Sequence, residues 1–148
     1  MKISTQSPSR PRWQHPEDPP GPARYVLEHL GFRRQEARVL GPPARSMGRP
    51  RLMAIHGAGA DYTQLNPLLY GLQQRGVGSL AMNLSGHSDA GGGVPAMVSV
   101  DFNVKEALRF GARLKPGLLA LLAVDMGAMV ALRAAQAHVQ SLHCLVLI

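Results

Sequence analysis

The sequence predicts an α/β fold built around a parallel sheet, and two observations lead to this prediction. Beyond residue 51, short apolar runs alternate with helix-length amphipathic stretches. The runs are apolar throughout, which is typical of strands that are covered on both faces. Strands and helices that alternate in this way form parallel sheets through right-handed crossovers. We therefore expect a parallel sheet with helices on both faces.

The first part of this region contains two predicted strands with a helix between them. Residues 51–55 and 77–84 are the predicted strands, and residues 62–75 form the predicted helix. Gly76 follows the helix, and glycine is favoured just past a helix C-terminus because it adopts positive φ without strain. The leucines expected on one face of the helix are Leu65, Leu68, Leu69 and Leu72.

The second part repeats the alternation. A glycine-rich loop, residues 85–95, precedes a predicted helix in which apolar residues recur at helical spacing over residues 104–114. Residues 118–124 form an entirely apolar predicted strand, and residues 126–139 form a helix that is apolar on most sides. A last apolar strand is predicted over residues 142–148.

The net charge of +7 is concentrated near the N-terminus. Residues 1–51 contain ten Lys and Arg against four Asp and Glu, and nine of the twelve prolines. Because proline disrupts helices and central strands, we interpret residues 1–23 as a disordered, Pro/Arg-rich basic tail. Trp13 is the only aromatic residue available for stacking in that tail, so nucleic-acid binding is not expected. Residues 24–50 are ambiguous edge elements: residues 23–30 fit one or two helical turns, and residues 32–40 fit an edge strand.

Composition excludes several classes of protein. With 45% hydrophobic and 17% charged residues, the chain is neither globally disordered nor collagen-like. A single cysteine, Cys144, makes no intrachain disulfide, so a cytoplasmic location is expected, and no Cys/His spacing predicts a metal site. The longest apolar stretch, residues 118–132, has Asp125 near its middle and is too short to span a bilayer. No cofactor is expected.

Three motifs follow predicted strands in a fixed order. They are His56-Gly57-Ala58-Gly59, Asn83-Leu84-Ser85-Gly86-His87-Ser88 and Ala123-Val124-Asp125-Met126-Gly127-Ala128. Their order resembles the first half of the α/β-hydrolase fold, with its oxyanion loop, its second glycine-histidine segment and its nucleophile elbow. The resemblance covers residues 51–148. It implies hydrolysis of an ester, an epoxide or a similar bond in a small-molecule substrate.

The resemblance assigns roles to residues of the first and third motifs. Gly57 and Ala58 correspond to the oxyanion loop, Met126 to the residue after the nucleophile, and Gly127 to a small residue that the elbow needs for packing. Asp125 occupies the nucleophile's position, where most members have serine. An aspartate there resembles the epoxide hydrolase and haloalkane dehalogenase branch, in which the carboxylate attacks carbon. The alternative is that Asp125 only stabilises the N-terminus of the following helix.

Two histidines and one serine in these motifs receive other interpretations. His56 and His87 are expected to fix their turns through hydrogen bonds rather than to act in catalysis. Ser88 lies in a sequence that looks like a serine elbow, Gly86-His87-Ser88-Asp89-Ala90. Three glycines and a proline follow it within the next residues, so no helix is expected to start there. We therefore interpret Ser88 as a loop residue.

The resemblance also implies what the chain lacks. The family's catalytic acid and histidine lie beyond the sixth strand, so we expect neither residue nor a lid domain here. Residues 142–148 would then form an apolar edge strand, and we expect self-association or a completing segment to pair with it. The chain would be a fragment, a split gene product or an associating subunit. The competing hypothesis is a non-catalytic interaction protein that acts through this edge or through the basic tail. A nucleotide-binding protein is not expected, because no phosphate-binding glycine loop follows a strand.

Deletion of residues 1–23 is expected to leave the thermal stability of the chain nearly unchanged. Their composition provides too little apolar burial to offset an ordering cost of about 1–2 kcal/mol per residue. Thermal denaturation of the deleted and full chains measures the difference. A loss of several degrees on deletion would show that the segment is part of the fold.

Overall fold

A computed structural model describes residues 23–30, 33–40, 51–87, 98–112, 119–137 and 142–148. The strands are β1 (Ala23–Leu30), β2 (Arg33–Leu40), β3 (Leu52–Ile55), β4 (Ser79–Met82), β5 (Leu119–Ala123) and β6 (Leu142–Leu147). The helices are a 3₁₀ helix (Tyr62–Leu65), α1 (Asn66–Gln74), α2 (Val100–Gly111) and α3 (Met126–Ala137). The predicted tail before Ala23 and, in the predicted glycine-rich loop, residues 88–95 including Ser88 lie outside the described residues.

The strands form one six-stranded sheet in the order β1-β2-β4-β3-β5-β6. Strands β4, β3, β5 and β6 pair in parallel, whereas β1 pairs antiparallel with β2 and β2 antiparallel with β4. The expected parallel sheet is therefore present and is extended by an antiparallel hairpin. Residues 32–40 were expected to fit an edge strand, but their pairing into a hairpin was not expected, because pairing between strands depends on contacts that local periodicity does not encode.

One element was predicted wrongly. Residues 23–30 are strand β1 rather than helical turns, and Ala23, assigned to the tail, is its first residue. Strand β2 begins at Arg33 and lies inside the sheet, so β1 takes the edge that was expected for β2. The hairpin register, Ala23 opposite Leu40 through Leu30 opposite Arg33, supplies a cross-strand pairing that neither segment indicates on its own.

Helices cover both faces of the sheet, as predicted. Within β3, Met53 and Ile55 face a core shared with α2 and α3, whereas Leu52 and Ala54 face the 3₁₀ helix and α1. This alternation follows from the two-residue period of a strand. Because β3, β4 and β5 are parallel, their carboxyl ends lie at one edge of the sheet, where the three motifs begin.

A buried arginine connects the added hairpin to the helical layer. Arg38 of β2 is fully buried and lies over the rings of Tyr62 and Tyr70, at 4.5 and 5.8 Å from the ring centroids. Its guanidinium donates to the Asn66 side-chain oxygen and to the Tyr70 hydroxyl, the latter at 3.4 Å. Contacts between a cation and aromatic faces offset part of the cost of burying the charge. Arg38 thereby helps to fix the 3₁₀ helix that borders the motif loops.

Adjacent leucines in α1 differ sharply in burial and provide a matched test of this packing. Leu69 is 0% exposed and Leu68 is 42% exposed. We expect Leu69→Ala to lower the free energy of unfolding by about 2–5 kcal/mol, because it removes buried methyl groups and leaves a cavity. Leu68→Ala should change it by about 0.5 kcal/mol or less. Chemical denaturation of both variants measures the two values, and equal losses would contradict the placement of α1.

Candidate active site

The third motif forms a tight turn between β5 and α3. Only Val124 and Asp125 separate the last residue of β5 from the first residue of α3. To reverse direction in so short a link, Asp125 adopts a φ of +51°, and it is the only non-glycine residue with positive φ in the described ranges. Such a conformation costs about 1–3 kcal/mol, although aspartate tolerates it better than most residues. The amide of Ala128 donates to the carbonyl of Asp125 at 2.9 Å and closes the turn.

Close packing in the first turn of α3 requires a glycine. A Cβ atom on Gly127 would lie 2.4 Å from the carbonyl oxygen of His56 and 2.7 Å from that of Ile55. Both neighbours are backbone atoms, so a larger residue would push α3 away from β3. Gly127 thus brings the turn after β5 against the turn after β3.

The carboxylate of Asp125 lies against the first motif. The backbone amide of Ala58 donates a hydrogen bond to Oδ2 of Asp125 at 3.2 Å. A Cβ atom on Gly57 would lie 3.1 Å from Cβ of Asp125, so a side chain there would require Asp125 to shift by a few tenths of an ångström. Asp125 and Ala58 are both exposed, so solvent reaches the carboxylate. Met126 contributes the first amide of α3, one of the helix N–H groups that have no intrahelical acceptor.

His56 joins the first motif to the second from a buried position. Its Nε2 accepts a hydrogen bond from the Leu84 amide at 2.9 Å, so the ring proton lies on Nδ1, which donates to the Gly57 carbonyl at 2.7 Å. Burial lowers the pKa of His56 and outweighs the opposing effects of the Gly57 bond and of Asp61. The imidazole is neutral at neutral pH, and both of its nitrogens are engaged within the loops.

The second motif is bound to its surroundings through buried polar groups. Asn83 accepts the Tyr62 amide at 2.8 Å through its side-chain oxygen. Ser85 donates to Glu106 of α2 through its hydroxyl at 2.5 Å and through its amide at 3.2 Å. His87 is partly buried, and among the described residues no hydrogen bond joins it to Asp125. These contacts hold the loop after β4 beside His56.

The geometry adds one residue that the sequence did not single out. Gln64, in the 3₁₀ helix, accepts the Gly57 amide through Oε1 at 2.8 Å. The interaction joins positions seven residues apart across a turn, and no periodic or motif signal marks it. The proximity of Gln64 to Asp125 is apparent only from the structure, where Gly57 lies between the two side chains.

Other kinds of site receive no support from the described residues. They contain no cluster of three or more His, Cys, Asp or Glu side chains placed to hold a metal ion. None of their helices combines the length and apolar character needed to cross a membrane.

Comparison with known proteins rests on structure alone. No protein-family model matches the chain, and no curated protein sequence matches it. Solved structures do match, with identities too low to indicate more than the fold. A thioesterase domain from the curacin biosynthetic pathway superimposes with a TM-score of 0.74 and 20% identity, covering 85% of this chain and 46% of that one.

Further solved structures agree with this match. Epoxide hydrolase VrEH1 from Vigna radiata gives a TM-score of 0.69 at 17% identity, over 84% of this chain and 39% of that one. Alpha/beta hydrolase domain-containing protein 10 from mouse gives a TM-score of 0.67 at 16% identity, over 84% of this chain and 48% of that one. The chain thus spans less than half the length of each of these structures. The described residues have a partial α/β-hydrolase-like fold.

Proposed function

We propose that the chain carries the nucleophile half of a hydrolase site, in which Asp125 attacks an electrophilic carbon and forms a covalent ester. The observation that carries this proposal is the Asp125 carboxylate, raised on a strained turn and bonded to the Ala58 amide through Oδ2 at 3.2 Å. Structural neighbours that are named as an epoxide hydrolase and a thioesterase support hydrolytic chemistry. The substrate class that fits a carboxylate nucleophile is an epoxide or an alkyl halide.

The first step needs few participants. Oδ1 of Asp125 attacks a ring carbon of the epoxide, the carbon–oxygen bond opens, and the resulting alkoxide takes a proton from water. An ionised carboxylate is already nucleophilic, so this step requires proximity rather than a base. The product is a hydroxyalkyl ester of Asp125 in which Oδ2 is the carbonyl oxygen.

In the second step, the Ala58 amide stabilises the charge that develops on the ester oxygen. When water attacks the ester carbonyl carbon, negative charge develops on Oδ2, the atom to which Ala58 donates. The first amide of α3, that of Met126, is the second candidate donor, because a helix N-terminus favours negative charge. The attacking water also needs a general base. His56 does not suit this role, because both of its ring nitrogens are already engaged.

Asp125 is expected to become esterified once by a reactive epoxide, without sustained turnover by the 148-residue chain. Loss of general-base catalysis alone lowers the rate of hydrolysis by about 10²–10⁴-fold, so the ester should persist. Intact-mass measurement and peptide mapping after incubation with excess epoxide detect the adduct. Asp125→Asn should abolish it.

Asp101 provides the control for non-specific labelling. It is an exposed carboxylate in the first turn of α2 and pairs with Arg133. Esterification of Asp125 well ahead of Asp101 supports the proposal, whereas equal rates indicate that the epoxide modifies any exposed carboxylate. Steady-state hydrolysis that depends on Asp125 would show that a residue of this chain acts as the base. Absence of both adduct and turnover favours the second candidate function.

That second candidate is a non-catalytic interaction protein, and the exposure of β6 favours it. Val146, Leu147 and Ile148 are 42%, 43% and 66% exposed at the edge of the sheet. Two apolar residues of the neighbouring α3, Met129 and Leu132, are also exposed. An edge strand with unpaired backbone groups and apolar side chains is a template for another strand. A second copy of the chain and a separate completing segment are the two candidate occupants.

A charge at this edge is expected to suppress self-association. Val146→Lys places an ammonium group on the edge strand, a device that natural proteins use against strand pairing. Leu68→Lys on α1 is the matched control, because Leu68 and Val146 are both 42% exposed. Sedimentation of the three proteins should show an oligomer for the unchanged chain and for Leu68→Lys, and a monomer for Val146→Lys. A monomeric unchanged chain would contradict self-association and leave the completing segment as the occupant.

A further inference from the structure

The turn after β3 presents two consecutive backbone amides beside Asp125, and the structure assigns them to different acceptors. The Gly57 amide donates to Oε1 of Gln64 at 2.8 Å, and the Ala58 amide donates to Oδ2 of Asp125 at 3.2 Å. Successive amides in a tight turn commonly bind one anion together. Gln64 therefore withdraws one of the two donors from the carboxylate.

The three groups lie close around the backbone of Gly57. The position of a Gly57 Cβ atom would be 3.2 Å from Oδ2 of Asp125 and 3.4 Å from Oε1 of Gln64. A neutral acceptor suits this place, because a second carboxylate so near Asp125 would repel it and disfavour its ionised form. Glutamine supplies the acceptor oxygen without the charge.

The backbone of Gln64 is well anchored, although its side chain is exposed. Its amide donates to the Asp61 carbonyl at 3.1 Å. Of its neighbours in the 3₁₀ helix, Thr63 donates its amide to the Asp61 side chain, and Leu65 is buried. The side chain adds nothing to the core, so replacing it should not disturb folding.

The peptide between Gly57 and Ala58 is fixed from its other end as well. Its carbonyl oxygen accepts Nδ1–H of His56 at 2.7 Å. His56 holds the carbonyl and Gln64 holds the preceding amide, and the Ala58 amide points towards Oδ2 of Asp125. Groups that are held in advance in this way lose little energy to reorganisation during a reaction.

We propose that Gln64 is a positioning residue for Asp125. By accepting the Gly57 amide, it directs the Ala58 amide to Oδ2 and leaves Oδ1 without a donor from this turn, available for attack. The inference rests on the proposed function in assigning Asp125 as the nucleophile. The positioning itself is a property of the turn and is measurable without any reaction.

Two substitutions separate the acceptor from the charge. Gln64→Met keeps the length of the side chain and removes the amide oxygen, and it should slow esterification of Asp125 by about 10- to 100-fold, in line with the cost of small displacements at reacting groups. Gln64→Glu keeps an acceptor and adds a negative charge. It should retain more of the rate than Gln64→Met, because its carboxylate can still accept the Gly57 amide.

The matched control is Gln74→Met at the exposed end of α1. It should react at the rate of the unchanged chain. Thermal denaturation of all three variants should show unchanged stability. A rate for Gln64→Met equal to that of the unchanged chain, or an equal loss in Gln74→Met, would overturn the inference.

A second measurement distinguishes this inference from the proposed function. The amide proton shift of Ala58, followed by NMR across the titration of Asp125, reports the hydrogen bond between them. Its amplitude should fall in Gln64→Met and persist in Gln74→Met. If the unchanged chain forms no ester but this pattern holds, the proposed function fails and the positioning stands. If the ester forms but neither the rate nor the amplitude depends on Gln64, the positioning alone fails.

Discussion

The close contact between the start of α3 and the end of β3 is the constraint on which the rest of the site depends. Gly127 leaves no side chain between the helix and the carbonyl groups of Ile55 and His56. Because the helix approaches so closely, the link from β5 must turn within two residues, and Asp125 takes the strained backbone conformation. The same approach places its carboxylate beside the Ala58 amide. One missing Cβ atom therefore determines the geometry of three chain segments.

Sequence patterns anticipated the parts of the structure that local chemistry determines. The apolar run over residues 118–124, followed at once by a helix-length stretch, predicted a strand and a helix, and the structure has β5 and α3 there, with a turn at Asp125 between them. The β1–β2 hairpin was not anticipated, because its eight-residue strands are defined by pairing with each other and with β4. Gln64 was missed for a related reason. Its hydrogen bond to Gly57 crosses a turn, and a single glutamine in a helix carries no sequence signal that distinguishes a site residue from a surface residue.

His56 illustrates how burial divides structural from chemical roles. A histidine next to an oxyanion-type loop is an obvious candidate base, yet burial lowers its pKa and each ring nitrogen already has a backbone partner. Freeing Nε2 for a substrate would leave the Leu84 amide without its acceptor inside the fold, which is costly for a buried donor. The ring instead links the turns after β3 and β4, and so supports the orientation of the Gly57–Ala58 peptide.

The exposed edge and the candidate nucleophile are connected through the backbone. The amide of Asp125 donates to the carbonyl of Ile148 at 3.1 Å, and the amide of Ile148 donates to the carbonyl of Ala123 at 2.9 Å. The residue that follows β6 thus holds both ends of the short link that raises Asp125. A polypeptide paired along β6 would therefore lie against the strand whose following residue makes these bonds. The chemistry proposed for Asp125 and the association proposed for β6 therefore involve one connected part of the structure and do not exclude each other.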